Sequence, residues 1–139
     1  MATQQNVNQY AKAIQSQLSG IITPVPVYAN FNRNFATQND FVTWQLRNVH
    51  QPVYTGQTQS VKGIDTPTFQ ISVFSTTMEN SFLNANKILQ ALHGYSGLFG
   101  SAPNSFQISK ADVMWLYNGY DNEINLFNIF MDCTLYIPT

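Results

Sequence analysis

The chain has 139 residues, 44 % of them hydrophobic but only 9 % charged, and a net charge of −1. That is one ordinary domain in length, with far less charge than the roughly 25 % of a typical soluble domain. Six scattered basic residues leave no stripe to grip duplex phosphates, and no apolar run approaches the roughly 20 residues that span a bilayer.

Residues 4–18 place Val7, Tyr10, Ala11, Ile14 and Leu18 at spacings of three and four, with Gln, Asn, Lys and Ser between them. This predicts an amphipathic helix, with Gly20 as its stop. Thr23-Pro24-Val25-Pro26-Val27-Tyr28 follows. Proline at alternate positions imposes an extended backbone and removes two donors, so an edge strand or extended connector is expected. Asn30 to Asp40 reads as a polar loop. From Phe41 to Tyr54 a long strand is expected, because Val42, Trp44 and Leu46 alternate with Thr43, Gln45 and Arg47. Thr55 to Pro67 is turn-rich, polar and longer than a hairpin loop usually is.

Thr68 to Ser75 is the next strand, with Phe69, Ile71 and Val73 on one side and Gln70 and Ser72 on the other. A second helix is predicted from Thr77 to His93. Thr76 and Glu79 match a capping box. Met78, Phe82, Ala85, Leu89 and Leu92 form its apolar face, widened by Leu83 and Ile88, and His93-Gly94 suits its end. After a Gly/Ser/Pro loop at Tyr95 to Asn104, short strands are expected at Ser105–Ser109 and Val113–Tyr117, the latter ended by an Asn118-Gly119 turn. The last strand, Ile124 to Ile137, alternates almost perfectly, with Ile129, Met131, Cys133, Leu135 and Ile137 on one face. Helix, strands, helix, strands joined by turn-like segments predicts an α+β fold: a mainly antiparallel β-sheet with two helices packed on one face.

Asn and Gln take the place of the missing charge, at about a fifth of the chain, and ten Phe, seven Tyr and two Trp oppose a disordered reading. Interface cores are likewise poor in charge and rich in aromatics. The chemistry of catalysis is thin. His50 and His93 have no partner at metal-ligand spacing, and Cys133 belongs to an apolar strand face, where a thiol is a small hydrophobe. Asp112, Asp121 and Glu123 form no recognisable acid/base pair, and Gly94, Gly97 and Gly100 do not make a phosphate loop. No catalytic, cofactor-binding or metal residue is therefore assigned. One cysteine and a polar, uncharged N-terminus suggest synthesis in a cytoplasm. A binding alternative is a sugar-recognition face built from Trp44, Trp115, Tyr117, Tyr120 and Tyr95.

The strand TFQISVFS running into the helix TMENSFLNANKILQALHGY resembles the tail-completion family of long-tailed bacteriophages, which includes tail-terminator and tail-to-head joining proteins. The N-terminal helix before PVPVY, the strand FVTWQL and the closing strand NLFNIFMDCTLYI extend the likeness over nearly all of residues 1–139 as a single domain. The motifs are loose, and the chain carries less charge than the family usually does. The resemblance implies a structural virion protein of the tail or neck, made in the host cytoplasm. Its subunits would form a ring, hexameric in such proteins, that caps the tail tube and joins it to the head connector. Its partners would then be copies of itself, the tail tube protein and the head–tail connector protein, with no membrane, no specific nucleic acid and no cofactor. Another neck ring, a head-completion or stopper protein, is the alternative. The docking element would be the polar loop, with Thr55, Gly56, Gln57, Gln59, Lys62, Gly63 and Asp65 as its interaction residues.

Overall fold

The structure, a computed structural model, describes residues 6–32, 38–51 and 64–138. Helix α1 (Val7–Ile22) begins at a reciprocal cap: the Asn6 side chain accepts from the Gln9 backbone N–H, and Gln9 Oε1 accepts from the Asn6 N–H. It runs through Gly20 rather than stopping there. Gly20 keeps helical geometry, and the helix ends only at Thr23, before Pro24. Strand β1 (Val27–Ala29) pairs in parallel with β2 (Asp40–Asn48), so PVPVY does supply an edge strand.

The expected loop ahead of Thr68 contains a short strand, β3 (Ile64–Asp65), and β4 (Thr68–Ser75) follows it. Both pair with β8 (Leu126–Pro138) in one continuous register, from Ile64↔Pro138 to Ser75↔Phe127. They are one strand interrupted at Thr66-Pro67, where proline removes a ladder donor but its carbonyl still accepts from Leu135.

Helix α2 (Met78–Leu92) is capped by Thr77, whose side chain accepts from the Asn80 N–H, so the cap lies one residue later than Thr76. The chain leaves it through Gly94, at φ 80°. A two-stranded hairpin, β5 (Gly97–Phe99) and β6 (Phe106–Ile108), precedes β7 (Lys110–Asp121). Strand β7 is twice the expected length. Asn118-Gly119 lies inside it, paired with Ile129 and Asn128, and the hairpin turn comes at residues 122–125, where Asn125 adopts φ 56°.

The large sheet therefore runs β1-β2-β4-β8-β7, with β3 extending β4 along β8. Only the β1–β2 pair is parallel. The fold is α+β, as the order of elements predicts, and both helices share one core with one face of this sheet. From the sheet come Val42, Trp44, Phe69, Ile71, Val73, Ile129, Met131, Cys133 and Leu135; from the helices come Tyr10, Ile14, Leu18, Ala85, Ile88 and Leu92. The β5–β6 hairpin closes the end of the core beside α1. Phe106 meets Tyr10 edge-on at 5.8 Å, Phe99 lies 6.4 Å from Phe69, and the Gly100 and Ser101 N–H groups donate to Gln17 and Ser16.

Candidate functional site

Residues opposite each other in adjacent strands share a face, so the register identifies what the helices leave uncovered. The rows Phe41–Phe74–Asn128–Gly119, Thr43–Ser72–Phe130–Tyr117 and Gln45–Gln70–Asp132–Met114 cross the sheet on the side away from the core. These side chains are mostly neutral and polar, interspersed with aromatics: Phe41 stacks on Phe74 at 4.8 Å and Tyr117 on Phe130 at 5.5 Å. Much of this face is out of water, since Phe41, Thr43, Ser72 and Asn128 are buried, while Gln45 and Met114 are exposed. One ion pair, Arg47 Nη1 to Asp132 Oδ2 at 2.7 Å, spans it.

The two ends of the sheet differ in how their edges are guarded. At β1 the outward carbonyls are occupied: Val27 accepts from Gln15 Nε2, and Ala29 accepts from the Phe31 N–H. At β7 the first half is covered by the chain leaving α2. Gly94 and Tyr95 exchange hydrogen bonds with Ala111, and the Val113 N–H donates to His93 Nδ1. His93 Nδ1 also lies 3.6 Å from Asp112 Oδ1. Beyond Trp115 no described residue covers the edge. There Leu116, Tyr117 and Tyr120 are exposed, as is Met114 just before it, and Val113 to Tyr120 contains no charge.

Helix α2 adds to this surface. Its buried residues are Ser81, Asn84, Ala85, Ile88 and Leu92, so the helix is rotated from the expected apolar face, and Met78, Phe82 and Leu83 point outward. Phe82 lies flat on Trp115 of β7 at 5.7 Å. Small exposed patches are ordinary; here Met78, Phe82 and Leu83 lie on the helix side of the sheet and Met114 and Tyr117 on its far side, so exposed apolar residues flank the β7 edge on both faces.

The tip of the β7–β8 hairpin bears an open groove of about 650 Å³, lined by Tyr117, Tyr120, Asp121, Asn122, Glu123, Asn128 and Phe130. Tyr117 folds over Gly119, where a Cβ would lie 2.6 Å from the phenol Cζ, which is why a glycine stands in mid-strand. The Asn128 side chain is buried, and its Oδ1 has no hydrogen-bond partner.

Of the expected interaction residues, Thr55, Gly56, Gln57, Gln59, Lys62 and Gly63 lie outside the described residues. Asp65 is fully buried, not a surface charge: its carboxylate accepts from Tyr10 Oη at 3.2 Å and from Gln51 Nε2 at 3.3 Å. With Thr66 N–H donating to His50 O, this ties the two ends of segment 52–63 together on α1. The five aromatics considered for a sugar face are not brought together. Trp44 is buried beside α1, donating to Gln15; Tyr95 Oη donates to Leu98 O; Trp115 lies under Phe82; only Tyr117 and Tyr120 share the groove. Cys133 is buried in the core, and burial raises its thiol far above the ordinary range. Among the described residues, no three His, Cys, Asp or Glu side chains cluster as metal ligands, and no helix is long and apolar enough to cross a membrane.

No protein-family model matches the sequence, and no curated protein does. Solved structures do match. A chain of the virion of a native gene transfer agent particle is similar over 93 % of this chain and 93 % of its own, with a TM-score of 0.57 and 14 % identity. A chain from the sheath/tube terminator of an extracellular contractile injection system, PVC, in its extended state matches 100 % of this chain and 58 % of its own, with a TM-score of 0.54 and 11 % identity. This chain thus spans little more than half of that second protein. At such identities the likeness is one of fold, and it takes in both helices and the sheet together.

Proposed function

We propose that this chain is a structural subunit of a phage-like virion, of the tail-terminator type. It assembles with copies of itself into a ring, hexameric by analogy, that caps the tail tube and joins it to the head connector. The supporting observation is the fold likeness to a virion particle chain over 93 % of both chains. The exposed apolar run on α2 and β7 is what a subunit covered by neighbours needs, and a monomer does not. In this reading the protein is not an enzyme, is made in the host cytoplasm and resides in the virion. Residues 1–139 work as one terminator-like domain, and the segment Thr55–Gly63, held at its base by Asp65, docks on the next ring. Mass photometry of the purified protein, followed by electron microscopy with tail tubes, tests the proposal. Rings bound at tube ends are expected; a monomer at every concentration that neither binds tubes nor stops their growth overturns it.

A further inference from the structure

Strand β7 is half covered, and the bulge at Leu116 decides what its free half offers. Before the bulge the odd-numbered residues turn their backbone groups away from β8. Ala111 exchanges hydrogen bonds with Gly94 and Tyr95, and the Val113 N–H donates to His93 Nδ1. Between Trp115 and Tyr117 the register slips by one residue, which inverts the alternation. On β8 the Leu135 N–H donates to Pro67 O, so Leu135 and its alternates Ile129 and Phe127 bond toward β4. Asn118 opposes Ile129 and Tyr120 opposes Phe127. The N–H and C=O groups of Asn118 and Tyr120 therefore point out of the sheet, and no described residue bonds to them. Tyr117 and Gly119, opposite Phe130 and Asn128, are the residues bonded to β8.

An outward row of donors and acceptors without charge or proline is a template for one more strand. The other end of the sheet cannot supply that strand. At β1 the outward carbonyls of Val27 and Ala29 already accept from Gln15 and Phe31. The same stretch of a second copy can. With a twofold axis at Gly119, Asn118 of each copy opposes Tyr120 of the other, so every outward N–H meets an outward C=O. An axis at Asn118 would set Tyr120 against the bulged Leu116, and an axis at Tyr117 would drive the strand under the segment that covers Val113. An axis at Asp121 would set like charges against each other. The axis at Gly119 keeps the two Asp121 side chains four residues apart, roughly 13 Å and beyond a Debye length. It also sets glycine against glycine at the narrow position of the ladder, where Cα atoms approach to about 4.5 Å, while each Tyr117 lies over its own Gly119.

We propose that residues 117–121 of two copies pair antiparallel about Gly119 and join their sheets into one. Leu116, Tyr117 and Tyr120 are each about half exposed. At roughly 200 Å² for a whole aromatic side chain, they bring a few hundred Å² per copy, short of the about 1,200 Å² of a stable interface. The dimer is therefore weak and reversible. A twofold contact cannot join successive copies of a polar ring. The dimer is thus the state of the chain outside a ring, and it goes beyond the ring reading rather than resting on it. It keeps an aggregation-prone edge occupied until assembly.

The test is amide hydrogen exchange by NMR on the full chain at about 50 μM and about 1 mM, with sedimentation velocity on the same samples. The Tyr117 and Gly119 N–H groups should be protected at both concentrations. Those of Asn118 and Tyr120 should exchange at least tenfold more slowly at the higher one, as the sedimentation coefficient moves from monomer to dimer. Asn118→Pro removes an outward donor and leaves the β7–β8 ladder whole, and Asn118→Lys guards the edge with charge. Both should stay monomeric with unchanged circular dichroism, whereas Gln107→Lys, exposed on β6, should dimerise like the wild type. A wild type that stays monomeric at 1 mM overturns the proposal. So does a dimer in which these two amides gain no protection, or one that survives both Asn118 variants. Protection that appears only when tail tubes are added assigns the edge to another protein and overturns it too. Capping of tubes by a chain that never dimerises sinks the dimer and leaves the ring standing; a dimer that never caps tubes does the reverse.

Discussion

Three glycines allow the packing of the β5–β6 hairpin on α1 to be measured against its own controls. Gly100 has φ 90°, and a Cβ there would lie 2.7 Å from Ala13 Cβ and 2.9 Å from Ala13 Cα, the latter a backbone atom. Gly100→Ala therefore incurs two costs. A side chain in the left-handed region costs about 1–2 kcal/mol, and forcing the hairpin off the helix costs about 1–3 kcal/mol. Gly94 has φ 80°, and a Cβ there would meet no atom within 4 Å, so Gly94→Ala incurs only the first cost. Gly20 is helical with open space around it, so Gly20→Ala should stabilise by about 0.5 kcal/mol. At about 3–4 °C per kcal/mol for a chain of this size, Tm should fall by roughly 6–20 °C for Gly100→Ala and by about 3–8 °C for Gly94→Ala. It should rise by about 1–2 °C for Gly20→Ala. Far-UV circular dichroism melts, with urea titrations to confirm an unchanged m value, give the three numbers. If Gly100→Ala and Gly94→Ala lose the same stability, the close hairpin–helix contact is refuted. If Gly20→Ala destabilises, α1 does not continue through that residue.

Three further outcomes follow from buried groups. Asp65→Ala should lose about 1–3 kcal/mol in urea titration, because Tyr10 Oη and Gln51 Nε2 lose their acceptor; a neutral substitution would mean that this clamp is not formed. Burial is the main cause that pushes Tyr10 up to about 12 from 10, with Asp65 adding to it and the Gln51 hydrogen bond partly opposing. Below pH 10 both states keep the proton and the contribution is whole; as pH rises from 10 through 12 the unfolded chain releases its proton first, and on the order of 2 kcal/mol is lost. Tyr10→Phe should therefore lose less stability than wild type between about pH 9 and pH 11.5, and equal losses would refute the assignment. Cys133, fully buried with a raised thiol, should react with a disulfide reagent only at the rate of unfolding; prompt labelling of the native protein would show that the β8 core face is open.

What could be read from the sequence was whatever a single strand or helix decides for itself. Strand β4 lies at Thr68–Ser75, as its alternation of Phe69, Ile71 and Val73 requires, and β8 buries Ile129, Met131, Cys133, Leu135 and Ile137 in turn. What could not be read depended on partners distant in sequence. Asn118-Gly119 is a strong turn signal in isolation, yet β8 continues to pair with β7 beyond it, and Gly119 serves instead as the bare surface on which Tyr117 lies. Gly20 fails to stop α1 because nothing nearby draws the chain away until Pro24. Asp65, the one expected interaction residue that is described, looked like a loop charge because Tyr10 and Gln51, its partners, are 55 and 14 residues away.

The rotation of α2 is the most informative departure. The apolar stripe Met78–Phe82–Ala85–Leu89–Leu92 predicts a core face, but only its C-terminal part is used that way. Toward the N-terminus Ser81 and Asn84 are buried, Ser81 Oγ donating to Met78 O, and the large side chains turn outward. An isolated domain gains by burying Met78, Phe82 and Leu83, at about 25 cal/mol per Å² of apolar surface. Leaving them out is a net cost unless another surface covers them. From Leu116 to Tyr120 the β7 edge has the same shape of problem: no charge, no proline and no described covering element. Both departures lie at the β7 side of the sheet, where Phe82 of α2 stacks on Trp115. In the proposed ring, the residues that break the single-chain pattern are the ones a neighbouring copy would complete.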